Sequence, residues 1–218
     1  MIVSRRENTM KQLSTKERIR TEALHLFAQY GYDAISVAQI AKAVGIQAPP
    51  LYKHYASKED IFLAIIKEME KRYAQHAAGM QINGSDAEED GKLYTRITDD
   101  QLIDMGVHMF SYFLHDAYES SFRKMLNMER YHNQRLAKLF QKQYFDDAIA
   151  YQTVIFQHLM KAGILKPLDP QITALQFYSP IFLLLQLCDS NPQYERTAIE
   201  LLQQHIRQFL KLNSTKGD

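Results

Sequence analysis

Few residues in this chain have the type and spacing of a catalytic or metal site. Asp104, His108 and His115 recur at intervals that bring them near one face of a helix, where they could hold a metal ion. The single cysteine, Cys188, has no second thiol with which to bind a metal or close a disulfide. The sequence also contains no Gly-x-Ser-x-Gly elbow, no phosphate-cradling glycine loop and no His-Glu-x-x-His pair. We therefore expect no enzymatic activity, no cofactor and no metal. We interpret Asp104, His108 and His115 as ordinary surface or pocket side chains.

A different chemistry is indicated in residues 47–58. Small or apolar side chains at residues 48–50 would begin a short helix, and their size would let its backbone approach base edges in the major groove of DNA. Tyr52 and Lys53 follow, and a phenol and an ammonium suit phosphate oxygens, which position a protein on DNA without specifying sequence. A tyrosine and a lysine on a short helix are also common solvent-exposed residues. The elements around them must decide between these two interpretations.

Those elements are helices. Proline and glycine number only six and eight in 218 residues, and apolar residues recur at helical spacing almost throughout. Capping-box patterns begin helices at Ser14 and Ser36, and Gly31 and Gly45 end them. The pattern predicts helices over residues 15–30, within 36–45, over 47–55, 57–78, 99–116, 118–130, 133–162 with a possible break, 169–187 and 194–211, with a loop over 79–91.

The order of these elements resembles one protein family. A helix ending in Phe-Ala-Gln-Tyr-Gly-Tyr precedes residues 36–55, which read SVAQIAKAVGIQAPPLYKHY, and Ser-Lys-Glu-Asp-Ile follows at 57–61. This set resembles the DNA-binding domain of TetR-type (TetR/AcrR family) transcriptional regulators. The resemblance implies an all-α fold, with an N-terminal helix-turn-helix DNA-binding domain over residues 12–72 and a C-terminal helical ligand-binding and dimerisation domain over residues 73–218.

The resemblance also assigns DNA-contacting residues. Ser36 and Lys58 are implied phosphate contacts, helped by the exposed N–H groups of the helix starts. The paired prolines depart from the family's commoner Gly, Ala, Ser or Thr, which favours apolar contact with thymine methyl groups over hydrogen-bonded readout. His54 could face either the DNA or the core, whereas Tyr55 is expected in the core. The predicted DNA-binding residues are Ser36, Gln47, Ala48, Pro49, Pro50, Tyr52, Lys53, His54 and Lys58.

Aromatic residues and methionines are concentrated in the second half of the chain. Residues 105–151 contain 14 of them in 47 positions, against 33 in all 218. Such residues form the core of most helical bundles, but they also suit a cavity for an apolar or planar ligand, and the TetR family binds small-molecule effectors in this region. Neutral planar compounds are the first choice, and lipophilic cations the second. The predicted ligand-binding residues are Met105, Met109, Phe113, Met128, Tyr131, Tyr144, Tyr151 and Phe177.

The last two predicted helices are candidates for a dimer interface. The helix over 169–187 is apolar almost all round, which is more than one intramolecular face requires. Pairing both helices with a second copy would form a four-helix bundle. The predicted interface residues are Leu175, Phe182, Leu183, Leu202 and Phe209.

The favoured interpretation is a cytoplasmic, homodimeric transcriptional regulator. It would bind a palindromic operator in double-stranded DNA, acting as a repressor as is usual in the family, and leave it when a small-molecule effector binds. The net charge of +1 neither requires nor excludes nucleic acid, and no apolar run reaches the roughly 18 residues of a membrane span, so no membrane partner is expected. Two alternatives stay open: an architectural DNA-binding protein without a ligand, and a helical enzyme or carrier that retains the DNA-binding domain.

Overall fold

The computed structural model describes residues 13–215, which form an all-helical protein as predicted. Backbone pairing of the β type within this range is limited to one isolated bridge between Leu165 and Ser214. The α-helices are α1 (Thr15–Tyr30), α2 (Val37–Val44), α3 (Ala48–Tyr52), α4 (Lys58–Gly79), α5 (Ala87–Tyr94), α6 (Asp99–His115), α7 (Ala117–Glu129), α8 (Gln134–Gln141), α9 (Asp147–Lys161), α10 (Pro170–Ser190) and α11 (Glu195–Asn213).

Local signals determine the first helix at both ends. The Ser14 hydroxyl accepts a hydrogen bond from the Glu17 N–H at 3.3 Å, and the Glu17 carboxylate accepts one from the Ser14 N–H at 2.9 Å. This reciprocal capping box satisfies two N–H groups that have no partner inside the helix. Gly31, with φ of 91°, ends the helix in a conformation that favours glycine. The prediction of a helix over 15–30 is confirmed.

Two later helices differ in detail from the sequence pattern. The third was expected to reach about residue 55, but it ends at Tyr52, because the N–H groups of Lys53 and His54 bond to carbonyls three residues back and tighten the turn. The break expected within residues 133–162 is confirmed as a π-helical segment, Lys142–Asp146, between α8 and α9.

The chain divides into two compact units. Unit 1 comprises the described parts of Met1–Lys71 together with Ser121–Ala137, and unit 2 comprises Arg72–Ser120 with the described part of Lys138–Asp218. Helices α4 and α7 therefore each contribute residues to both units. Unit 1 contains 121–137 in addition to the N-terminal domain that the sequence suggested over 12–72, so distant chain segments build it.

The core of unit 1 is a chain of aromatic rings. Tyr32 contacts Phe27 and Phe62 edge-on, with ring centroids 5.0 Å apart in both pairs, and Phe62 lies 5.8 Å from Phe122. Edge-on ring contacts of this kind are favourable beyond the apolar area they bury. Since Phe122 belongs to α7, the ring chain attaches the 121–137 segment to the N-terminal helices.

Unit 2 has two adjoining apolar clusters. The first joins α6, α10 and α11 and contains Ile103, Phe110, Leu184, Leu185, Cys188, Ala198, Leu202 and Ile206. The second joins α9, α10 and α11 and contains Ile155, Phe156, Leu159, Leu165, Ala174 and Phe209. Half-buried Phe177 of α10 packs against both clusters. Cys188 is thus a packed side chain of the first cluster.

The prediction of a loop over 79–91 is wrong for residues 87–91, which belong to a helix. Helix α5 begins at Ala87, because the Asp86 carboxylate caps it by accepting hydrogen bonds from the N–H groups of Glu88 and Glu89, both at 3.1 Å. The acidic run that looked like a solvated linker therefore starts a helix, where negative charge is favourable.

Asp90 links the backbone of residues 83–84 to helix α9. Its carboxylate is 2% exposed and accepts hydrogen bonds from the N–H groups of Asn83 and Gly84, at 2.8 and 2.7 Å, and from the Tyr151 hydroxyl at 2.6 Å. A buried carboxylate is stable only when such donors replace its water. Burial and the hydrogen bond to Asp90 raise the pKa of Tyr151, so this phenol remains a donor at physiological pH.

We predict that Tyr151→Phe lowers the free energy of unfolding by about 1.5–3 kcal/mol, because the buried Asp90 carboxylate loses one of its three donors. Urea denaturation at fixed protein concentration measures the change. Tyr131→Phe is the matched control, since its ring is 75% exposed, and it should unfold like the wild type. Equal stability of all three proteins would contradict this account of Asp90.

Candidate nucleic-acid interface

The surface predicted to bind DNA is built on two short helices joined by a tight turn. The Ser36 hydroxyl accepts a hydrogen bond from the Gln39 N–H at 3.3 Å, and the Gln39 side chain accepts one from the Ser36 N–H at 2.8 Å. This capping box starts α2, and Gly45, with φ of 77°, ends it. The Arg18 guanidinium of α1 donates to the Val44 carbonyl at 2.6 Å and so holds the end of α2. The helix-turn-helix geometry is therefore determined partly by local caps and partly by α1.

Helix α3 packs its apolar side into the core, and its other side is exposed to solvent. Leu51 is completely buried, and Tyr55, just beyond the helix, is buried with its hydroxyl donating to the Lys16 carbonyl at 3.2 Å. The core position expected for Tyr55 is confirmed. Tyr52, in contrast, is 52% exposed. The other exposed residues of the predicted set are Ser36, Gln47, Pro49, Pro50, Lys53 and His54, and Ala48 is half-buried.

Lys58 has a role in the structure that the sequence did not reveal. Its ammonium donates hydrogen bonds to the carbonyls of Tyr32 and Ile35, both at 2.9 Å, and lies 4.4 Å from the centroid of the Tyr32 ring. The side chain is half-buried. It therefore fastens the turn between α1 and α2 to the start of α4, and the phosphate contact implied by the resemblance stays a prediction.

Residues 121–137 support the same turn. The Arg135 guanidinium makes two hydrogen bonds to the Glu59 carboxylate, and this pairing holds the pKa of Glu59 below its usual value. Burial and the hydrogen bond to Glu59 raise the pKa of Tyr32 to about 12. Asn133 donates to the Asp33 carboxylate at 2.9 Å. Sequence reasoning missed these contacts, because no local pattern links residues about a hundred positions apart.

A groove in unit 1 lies between α1 and α2. It has a volume of about 600 Å³ and is lined by Leu26, Tyr30, Ala34, Ile35, Gln39, Lys42 and Ala43. None of the predicted ligand-binding residues lines it. The residues proposed as metal ligands do not converge either: His108 Nδ1 lies 2.8 Å from the backbone oxygen of Asp104, and His115 Nε2 lies 2.8 Å from the Glu195 carboxylate. Within residues 13–215, no three His, Cys, Asp or Glu side chains are grouped to hold a metal.

The predicted ligand-binding residues fall into both units. Met105, Met109, Phe113, Tyr144, Tyr151 and Phe177 lie in unit 2, whereas Met128 and Tyr131 lie exposed in unit 1, so the structure does not bring all eight together. Two of the hydroxyls expected to face a ligand already have partners. Tyr144 donates to the buried Glu119 carboxylate at 2.7 Å, and Tyr151 donates to Asp90.

The predicted dimer interface stays a prediction, and its residues are at least partly accessible on α10 but buried on α11. Leu175 and Leu183 of α10 are 49% and 59% exposed, and Phe182 is half-buried, with its ring 4.9 Å from that of Phe145. Leu202 and Phe209 of α11 are buried within their own subunit, because the apolar stripe of α11 packs on the core of unit 2. The other large exposed apolar residues of α10 and α11 are Ile172, Leu187, Leu201 and Leu212.

Comparison with known proteins places these features in a family. Residues 19–65 match the family model described as "Bacterial regulatory proteins, tetR family". Residues 19–65 are therefore a TetR-type region. The matched residues comprise most of α1, all of α2 and α3, and the first part of α4, which are the elements that carry the candidate interface.

Curated relatives match part of the chain. The HTH-type transcriptional repressor AcnR of Corynebacterium jeikeium is 33% identical over 70 residues, which is 32% of this chain and 37% of that one. The chain thus matches about a third of the length of that curated relative.

Solved structures resemble nearly the whole fold. A TetR-family transcriptional regulator from Mesorhizobium loti, itself described as putative, has a TM-score of 0.65 at 17% identity, covering 92% of this chain and 97% of that one. The SmeT–triclosan complex has a TM-score of 0.63 at 18% identity and covers 94% of each chain. SmeT is the repressor of the Stenotrophomonas maltophilia multidrug efflux pump SmeDEF. At these identities the likeness establishes the fold alone.

We predict that Lys58→Met destabilises the protein by about 1–2 kcal/mol, because methionine keeps the aliphatic stem but leaves two backbone carbonyls without their charged donor. Thermal or urea unfolding measures the effect. Lys53→Met, at an exposed position just after α3, is the matched control and should leave stability unchanged. If Lys58 served only to contact DNA, both variants would unfold like the wild type.

Proposed function

We propose that this protein is a TetR-type, sequence-specific DNA-binding repressor whose affinity for its operator is controlled by a small-molecule effector. The observation that carries the proposal is the exposed surface of α2 and α3. There, Tyr52, Lys53 and the first turn of α3 project from a short helix that Leu51 anchors in the core. A short helix held in this way, with small residues at its N-terminal turn, suits insertion into the major groove.

The relatives support this function rather than an enzymatic one. AcnR is a transcriptional repressor, and it is 33% identical to this chain over 70 residues. SmeT is a repressor with the same fold, and one of its structures holds triclosan. A regulator of transcription would act in the cytoplasm, where the DNA is.

A single α3 is too short to specify a long DNA sequence. Two copies related by twofold symmetry would double the base contacts and select an imperfect palindrome, with half-sites about one helical turn apart. In this arrangement Ala48, Pro49 and Pro50 would contact base edges, and Ser36, Tyr52 and Lys53 would contact phosphates.

We predict that Lys53→Ala weakens binding by a similar factor for all DNA sequences, because a phosphate contact positions the protein without reading bases. The dependence of log affinity on log salt concentration should become shallower by about one for each phosphate that the variant no longer neutralises. Ala48→Ser, in contrast, should change the preferred base at one position of each half-site. Fluorescence anisotropy with a selected operator and its point variants measures both effects.

Lys142→Ala is the control for the removal of positive charge, since Lys142 is exposed in unit 2, where it pairs with Asp147. It should leave DNA affinity unchanged. The assignment of roles would be wrong if Lys53→Ala altered the preferred sequence. Equal affinity of the wild type for random and selected DNA would overturn the proposed function itself.

Helix α10 supplies the surface for the proposed homodimer. Ile172, Leu175, Leu183 and Leu187 are exposed and recur at intervals that keep them on one side of the helix. The opposite side packs into unit 2. The helix is long and apolar enough to cross a membrane by length and composition, a test that core helices also pass. An apolar inner face combined with an apolar subunit interface explains this composition, because both sides of the helix are then removed from water.

We predict that Leu183→Glu converts the dimer to a monomer, because twofold symmetry would bury two unpaired carboxylates in the interface. Light scattering after size-exclusion chromatography, at micromolar concentration, measures the mass. Leu63→Glu replaces a similarly exposed leucine in unit 1 and should leave the dimer intact. A wild type that is already monomeric, or a dimeric Leu183→Glu variant, would count against this interface.

A further inference from the structure

A pair of buried polar atoms on adjacent rings of unit 2 has no hydrogen-bond partner among the described residues. They are the Tyr112 hydroxyl on α6 and Nε2 of His76 on α4, and neither has a partner among residues 13–215. Tyr112 is about nine-tenths buried, and its ring stacks on that of His76 with centroids 4.3 Å apart. Most buried polar groups in folded proteins are hydrogen-bonded, so two such atoms on adjacent rings indicate a missing ligand group.

The surroundings of this pair are aromatic and apolar. Tyr73 and Phe113 have their ring centroids 6.2 and 5.6 Å from that of Tyr112. Met105 and Met109 precede Tyr112 on α6 by seven and three residues, which places them on the same side of that helix. The residues expected from sequence to bind an apolar ligand thus lie beside two unsatisfied polar atoms.

The two polar atoms offer opposite hydrogen-bonding roles. Burial lowers the pKa of His76, against a hydrogen bond with the His108 backbone that raises it, so the imidazole is neutral at pH 7. A neutral imidazole has one donor and one acceptor nitrogen; with the proton on Nδ1, Nε2 is an acceptor, and it has no partner within residues 13–215. In that tautomer His76 Nε2 accepts a hydrogen bond, whereas the Tyr112 hydroxyl can donate one.

Nearby charge disfavours an anionic ligand. The carboxylates of Asp116 and Glu119 act with burial to raise the pKa of Tyr112, which shows that the local potential is negative. The Arg72 guanidinium is already paired with Asp116, with Nε at 2.9 Å. A neutral ligand avoids the cost of placing a second negative charge here.

We propose that Tyr112 Oη and His76 Nε2 form the polar end of an effector site in unit 2, and that its ligand is a neutral aromatic compound with one hydroxyl group, a phenol. The ligand hydroxyl donates to His76 Nε2 and its oxygen accepts from Tyr112, while its ring packs against Tyr73, Phe113 and the methionines. This inference rests on the proposed ligand-controlled function and specifies its effector class.

The test compares naphthol with its methyl ether, methoxynaphthalene, by isothermal titration calorimetry on the full chain without DNA. The ether can accept from Tyr112 but cannot donate to His76, and the ring system is the same. We expect naphthol to bind wild-type protein about tenfold more tightly than the ether. In Tyr112→Phe and His76→Phe, which keep the stacked rings, the preference should fall below about threefold.

The unliganded variants give a second measurement. Since Tyr112→Phe removes only a buried hydroxyl without a partner among the described residues, its melting temperature should equal or exceed that of the wild type. Tyr178→Phe is the matched control in unit 2, because its hydroxyl donates to the Tyr144 carbonyl at 2.8 Å. This control should melt at a lower temperature and retain the preference for naphthol.

Several results would overturn the inference: no binding of naphthol, equal binding of naphthol and its ether, an undiminished preference in both phenylalanine variants, or a lower melting temperature of unliganded Tyr112→Phe. A separate operator-release assay distinguishes this failure from that of the proposed function. If other compounds release the operator while naphthol and its ether bind equally, the repressor remains and the phenol site is wrong. If naphthol is preferred but no sequence-specific DNA binding is found, the site remains and the repressor is wrong.

Discussion

The turn between α1 and α2 is the constraint on which the DNA-facing part of unit 1 depends. Lys58 donates to two carbonyls of this turn and lies on the Tyr32 ring, which itself packs between Phe27 and Phe62. At its start, Gly31 has a φ of 91°, which residues with a side chain rarely adopt, and a Cβ there would also meet the Glu129 carboxylate. Because α2 begins just after this turn, its direction is determined before any contact with DNA. A preformed reading surface loses less conformational entropy on binding.

Buried polar groups in unit 2 are of two kinds. Asp90 has three donors and Glu119 accepts from Tyr144, so these carboxylates stabilise the packing of helices distant in sequence. The polar atoms of Tyr112 and His76 have no such partner among residues 13–215. Satisfied groups make a structure rigid, whereas unsatisfied ones make it receptive to a ligand that completes them. The proposed regulator would need both, since an effector must bind a site whose surroundings hold their shape.

Helix α10 shows the limit of reading function from composition. Its apolar residues on one side form the core with α6, α9 and α11, and those on the other side are exposed. Composition alone cannot separate a membrane span from a helix between a core and a subunit interface, because both remove all sides from water. The position of each residue relative to the core supplies the distinction.

The sequence by itself determined most of the helices, because capping boxes, glycine stops and apolar periodicity act over three or four residues, and the order of its motifs carried the resemblance of the N-terminal domain to the TetR family. The ends of α1 and the buried position of Tyr55 follow from such signals. Only the tertiary structure decided which charged groups meet, as with Arg135 and Glu59, 76 positions apart. It also decided that Leu202 faces its own core, since an amphipathic stripe shows that one face is buried but not against which surface. Contacts between distant segments depend on how helices pack, and no local pattern encodes that packing.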